Sequence, residues 1–166
     1  MQFSIIHQAT LKKIAFYIFI IIFAACTVVP VIDQWKNIKN SQWNKNNKIS
    51  IPVEIHDTGY YYNLYVNLRV SNDYKYSNLW LKLNIIYPDS TNLENDLMLT
   101  LADHRGKWIG NTLGHIISFR LPALKNKVFG KSGKYRFELE QNMRDTVLKE
   151  VVSVGIKLEK VQEILK

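Results

Sequence analysis

Alternation of apolar and polar residues at period two runs through most of this chain and limits what it can fold into more than any other feature. Leu64, Val66, Leu68 and Val70 alternate with Asn63, Tyr65, Asn67 and Arg69. Successive side chains of an extended strand point to opposite faces, so such a segment has one face to bury and one to leave in water. The pattern recurs in Leu79, Leu81, Leu83, Ile85 and Tyr87, in Leu97, Leu99 and Leu101, and in Ile117, Phe119 and Leu121. It returns in Tyr135, Phe137 and Leu139 and in Val152, Val154, Ile156 and Leu158. With Ile49 to Ile55 this predicts about seven or eight strands, each amphipathic and therefore antiparallel, stacked as an all-β sandwich. Helical signals are few. Residues 121–129 are expected to form a helical turn or short helix ended by Gly130 and Gly133.

The N-terminal region has a different character. Lys12 and Lys13 flank a ten-residue apolar core, residues 14–23, and Phe23, Ala24 and Ala25 precede Cys26, the single cysteine of the chain. A charged flank, a short apolar core and small residues before a cut form the layout of a secretory signal. Phe-Ala-Ala-Cys resembles the bacterial lipobox, in which cleavage falls between Ala25 and Cys26 and the thiol carries lipid. The expected division is a cleaved signal helix over residues 1–25, a lipid-anchored Asn-rich tether over 26–48, and the β-sandwich over 49–166. Two readings compete. Residues 14–32 approach the roughly 20 apolar residues of an uncleaved single-pass anchor, and a buried helix of a soluble protein has the same composition. A lipidated Cys26 leaves the rest of the chain without a thiol, which excludes disulfides, thiolate metal sites and cysteine nucleophiles.

Charge excludes further classes. The chain has 22 Lys and Arg against 14 Asp and Glu, and loss of Lys12 and Lys13 with the signal leaves 20 against 14. These cations are dispersed rather than clustered among stacking aromatics, so no nucleic-acid partner is expected. A general attraction to anionic lipid or glycan surfaces remains open. His56, Asp57, Asp103, His104, His115 and Ser118 have side chains suited to acid–base, metal or nucleophilic chemistry. None falls in a spacing that such chemistry uses: the nucleophile-elbow, zincin, P-loop and calcium-loop patterns are all missing. The expectation is a non-enzymatic protein with no metal, no cofactor and no small-molecule substrate.

The most distinctive connection is residues 103–114, with Gly106, Gly110 and Gly114 around Trp108. An aromatic ring beside Arg105 and Lys107 has the composition of an interface hot spot. The competing expectation is that Trp108 plugs one end of the sandwich. Trp35 and Trp43, within the tether, are expected to pack on the domain. A second candidate surface is aromatic: Tyr60, Tyr61, Tyr62, Tyr65 and Trp80 would suit a glycan if they formed one exposed row.

Ordered blocks along the chain carry a family resemblance. Tyr62, Asn63, Leu64, Arg69, Val70, Ser71, Asn72, Asp73, Tyr76, Asn78, Leu79 and Trp80 form the first. Leu101, Ala102, Asp103, Gly106, Lys107, Trp108, Ile109 and Gly110 form the second, and Gly133, Tyr135, Phe137, Gln141, Met143, Arg144, Val154, Gly155 and Ile156 complete the set. Together with the lipobox, they closely resemble the GldH-type gliding-motility lipoproteins of the Bacteroidetes. The resemblance implies a non-enzymatic accessory part of the gliding machinery, in contact with other gliding or type IX secretion envelope proteins. It implies membrane attachment through the lipid, with an outer-membrane, periplasm-facing location as the expectation. It brings no catalytic residues. Asp103, Arg105, Lys107, Trp108 and Arg144 are the candidate partner-binding positions.

Overall fold

The computed structural model describes residues 30–164. The signal segment and Cys26 lie outside the described residues. Eleven strands follow in order: β1 (Pro30–Asn37), β2 (Gln42–Asn44), β3 (Ile49–Ile55), β4 (Tyr60–Ser71), β5 (Asn78–Ile86), β6 (Asn92–Thr100), β7 (Asn111–Leu113), β8 (Ile116–Val128), β9 (Gly133–Gln141), β10 (Val147–Lys149) and β11 (Val151–Glu163). Two antiparallel sheets face each other, one ordered β1-β11-β4-β8-β7 and the other β3-β9-β5-β6, with a small β2-β10 ribbon beside them. This is the all-β antiparallel sandwich that the alternation predicts.

The inward phase of each strand is the apolar one. Leu64, Val66, Leu68 and Val70 of β4 and Val154, Ile156 and Leu158 of β11 are buried against Ile51, Val53, Leu79, Leu81, Leu83, Phe137 and Leu139 of the other sheet. Burial of an aliphatic side chain of this size contributes about 1.5–3 kcal/mol. The core therefore holds this thiol-free fold.

Two expectations are corrected. The segment assigned to the tether supplies structure: β1 pairs along its length with β11, from Pro30 opposite Glu159 to Asn37 opposite Ser153. Trp35 crosses over Gly155 and lies under the Arg69 guanidinium, 4.1 Å from its ring centre. A Cβ at Gly155 would lie 1.9 Å from the Gln34 carbonyl oxygen, so only glycine lets β1 approach this closely. Trp43 of β2 is fully buried and donates its Nε1–H to the Asn47 carbonyl at 2.8 Å. The second correction concerns residues 121–129, of which 121–128 continue β8 as strand instead of forming a helix. The long partner β4 extends the hydrogen-bond ladder to Tyr61 opposite Val128, and Pro122, which cannot donate, sits opposite Tyr65 at the register shift between Leu64 and Tyr65. The strand count exceeds the expected seven or eight through β1 and the three-residue strands β2, β7 and β10.

The sandwich has two distinct ends. The base gathers the start of β1 and β4, the end of β8 and the end of β11: Pro30 faces Glu159, Tyr62 faces both Lys160 and Lys127, and Tyr61 faces Val128. The apex, at the other end of these strands, carries the β4–β5 connection, the hairpin through Trp108, the β9–β10 connection and the β2-β10 ribbon.

Candidate functional site

The apical connections bring together all the candidate partner-binding residues, Asp103, Arg105, Lys107, Trp108 and Arg144. The hairpin through Trp108 is built by Asp103. Its Oδ1 accepts the backbone N–H groups of Arg105 at 2.8 Å and Lys107 at 2.9 Å, and its own N–H donates to the Lys107 carbonyl. Gly106, at φ 79°, supplies the left-handed residue that this turn requires. Ala102 bridges Trp108 across the hairpin. The Trp108 ring is half-buried, its centre 6.4 Å from Tyr74 and 6.3 Å edge-on from Phe119. Asp103 and Trp108 thus have full structural employment, as turn cap and as wedge between the β4–β5 connection and β8. Arg105 and Lys107 are exposed on the hairpin tip.

Arg144 lies one connection away, linked through Tyr74 and Tyr76. Tyr74 is buried, edge-on to Tyr76 at 5.8 Å, and its hydroxyl donates to the Asn78 carbonyl at 3.2 Å. Burial pushes its phenol well above the usual tyrosine range. The Tyr76 hydroxyl donates to Asp145 Oδ2 at 2.7 Å, and that bond to a carboxylate raises the Tyr76 phenol too. Gln141 folds the β9–β10 connection beneath them: its Oε1 accepts the Met143 N–H at 2.9 Å and its Nε2 donates to the Asp145 carbonyl at 2.9 Å.

Two depressions share the Tyr76–Asp145 pair as their common wall. One, about 580 Å³, is lined by Tyr76, Asn78, Trp80, Asn142, Met143, Arg144 and Asp145. The other, about 290 Å³, lies among Asp73, Lys75, Asp145, Val147, Lys149 and Glu150. Trp80 and Met98 are cross-strand partners on β5 and β6 and stand on the outer face of their sheet, 42% and 54% exposed. Arg144 makes no ion pair among the described residues. An outward Trp and Met beside an unpaired Arg have the composition that marks interface centres. Met98 was absent from the sequence reading, although its position in the polar phase of Leu97 and Leu99 is a readable signal.

The other sequence candidates do not converge. His56 is exposed at the base, whereas His104 and His115 are exposed at the apex, and no three His, Cys, Asp or Glu side chains gather to hold a metal ion among the described residues. The aromatic row is divided between the two sheets. Tyr65 lies on β4 and Trp80 on β5 of the opposite sheet, while Tyr62 is buried with its hydroxyl bonded to the Asp57 carbonyl at 2.6 Å.

A family model described as GldH lipoprotein matches residues 30–158, almost the whole sandwich. A gliding motility lipoprotein GldH homolog from Christiangramia forsetii is 30% identical over 148 residues, covering 85% of this chain and 90% of that protein. Gliding motility lipoprotein GldH from Flavobacterium johnsoniae is 27% identical over 146 residues, covering 84% of this chain and 90% of its own. With a match that spans both sheets and the apical connections alike, the chain belongs to the GldH lipoprotein family.

Proposed function

We propose that this protein is a lipoprotein anchored in the cell envelope through Cys26 and that it serves gliding motility without catalysis, by holding other envelope proteins at its apex. Membership in the family supports the anchor and the process, since both similar proteins are named as gliding motility lipoproteins. The observation that carries the mode of action is the exposed Trp80–Met98 pair beside the unpaired Arg144. The partners in this reading are gliding or type IX secretion components, met from the outer membrane on its periplasmic side.

Trp80→Ala and Arg144→Glu together remove an aromatic anchor and reverse a charge while leaving the inward face untouched. Each hot-spot truncation costs more than about 1 kcal/mol in binding. Cells carrying the double variant at normal membrane abundance are expected to lose surface spreading. Unchanged spreading contradicts apical docking, and turnover of a glycan or peptide by the purified protein contradicts the non-enzymatic reading.

A further inference from the structure

The base of the sandwich carries a surface that the apical site does not use. Residues 116–137, which form β8 and most of β9, contain Arg120, Lys125, Lys127, Lys131, Lys134 and Arg136 and no Asp or Glu. The four lysines among them lie between Leu124 and Tyr135, along the end of β8, its connection to the opposite sheet and the start of β9. Lys131 is engaged by Asp89, and Lys127 stands 5.9 Å from the Tyr87 ring centre. Lys125, Lys127 and Lys134 make no ion pair among the described residues. The nearby Asp57 is already paired with Lys160. Exposed aliphatic groups share this end: Val31 at 41%, Val128 at 40% and Val161 at 46%. Val128 faces Tyr61, and Val161 follows Lys160, which faces Tyr62.

The chain enters the fold at this same end. Pro30 opens β1 opposite Glu159, and Cys26 precedes it by four residues. Four residues of fully extended chain reach at most about 14 Å. If Cys26 carries the lipid, as the proposed function requires, β1 leaves no room for a long stalk, and the base is held within that distance of the headgroups.

We infer that the β8–β9 connection, which crosses from one sheet to the other and carries Lys125, Lys127 and Lys134, rests on anionic phospholipid headgroups of the leaflet that holds Cys26. Basic residues next to a membrane attachment point are drawn to the negative surface potential within a Debye length. The flanking Tyr and Val side chains suit the interfacial zone between water and hydrocarbon. The apex then points away from the bilayer. The thirteen-residue strand β8 separates Val128 from Leu113, which is 86% exposed beside the start of β8, by about 40 Å.

The test uses the mature lipoprotein purified from membranes. With the native cysteine acylated, a cysteine introduced by Val128→Cys, Lys125→Cys or Leu113→Cys is the only labelling site. Spin labels are read on vesicles of phosphatidylglycerol and phosphatidylethanolamine that contain a nickel-chelating lipid. Relaxation enhancement is expected at positions 128 and 125 and not at 113. It is expected to vanish in phosphatidylcholine vesicles, and also when the remaining lysines of the trio are changed to Ser. Equal remoteness of all three labels on vesicles that retain the protein overturns the basal contact and leaves the anchor standing. Equal enhancement on phosphatidylcholine overturns the anionic specificity, and failure of the wild-type lipoprotein to stay on any vesicle overturns the anchor as well.

Discussion

Single residues account for the shape of both ends of the molecule. Gly155 is the strictest of them, because a Cβ there meets backbone and not a movable side chain. Gly155→Ala is expected to displace β1 and destabilise the fold by about 2 kcal/mol, within the usual range for overpacking, read as a lower denaturant midpoint. At the apex, Asp103→Ala frees two backbone N–H groups and is expected to cost about 1–2 kcal/mol, whereas Arg105→Ala, on the same turn but exposed, is expected to change stability little. Tyr74 gives a pH signature. Its phenol ionises above the ordinary value of 10.0 because burial disfavours the charged form. Above pH 10 the unfolded chain releases a proton that the folded protein keeps, so this group's stabilisation is complete below that pH and falls as pH rises. Tyr74→Phe is expected to lower stability by about 1 kcal/mol at neutral pH, through loss of the bond to Asn78, yet to flatten the alkaline decline. Tyr62 and Tyr135, also raised by burial, retain the residual slope.

Elements differ in how openly the chain announces them. β3, β5 and β9 are readable because each buries one face and leaves the other more exposed, which writes period two into the residues, and β4 and β11 keep the same alternation although Asn67, Ser153 and Gly155 of their polar phase are covered. β1 is hidden for the opposite reason: as an edge strand it is exposed along most of its length, and Ile32 and Trp35 fall out of phase. The end of β8 is hidden by register shifts near Leu64 that interrupt the alternation, so residues 121–129 mimic a helical turn. β2, β7 and β10 are shorter than any pattern. The candidate site was legible in part. Trp108 and Arg144 stand out as residues, but Tyr74, Tyr76, Phe119 and Met143, which place them, come from segments far apart in the chain. Hydrogen exchange separates a structural β1 from a tether. Among residues 34–37, the amides that donate to β11 are expected to exchange slowly, and immediate exchange of all four would show that the strand is not held.

At the scale of the whole molecule, the sandwich is polar in the geometric sense: chain entry and the lysine-rich β8–β9 connection mark one end, and an aromatic, methionine and arginine surface marks the other. In the proposed function, that arrangement gives the anchored protein a defined orientation, and confinement to a surface raises its effective concentration for neighbouring envelope proteins. Ion pairs contribute little to this architecture, since exposed pairs such as Lys82–Glu94 are worth about 0–1 kcal/mol each. Stability is accordingly expected to change little with added salt, while contact of the basal β8–β9 connection with anionic membrane is expected to weaken sharply. The most direct measurement is photo-crosslinking in gliding cells from a reactive residue placed at Met98 and, separately, at Val128. Position 98 is expected to capture a defined gliding or secretion component, with capture lost on Arg144→Glu, and position 128 to yield no protein adduct. Protein capture at 128 with none at 98 would contradict apical docking.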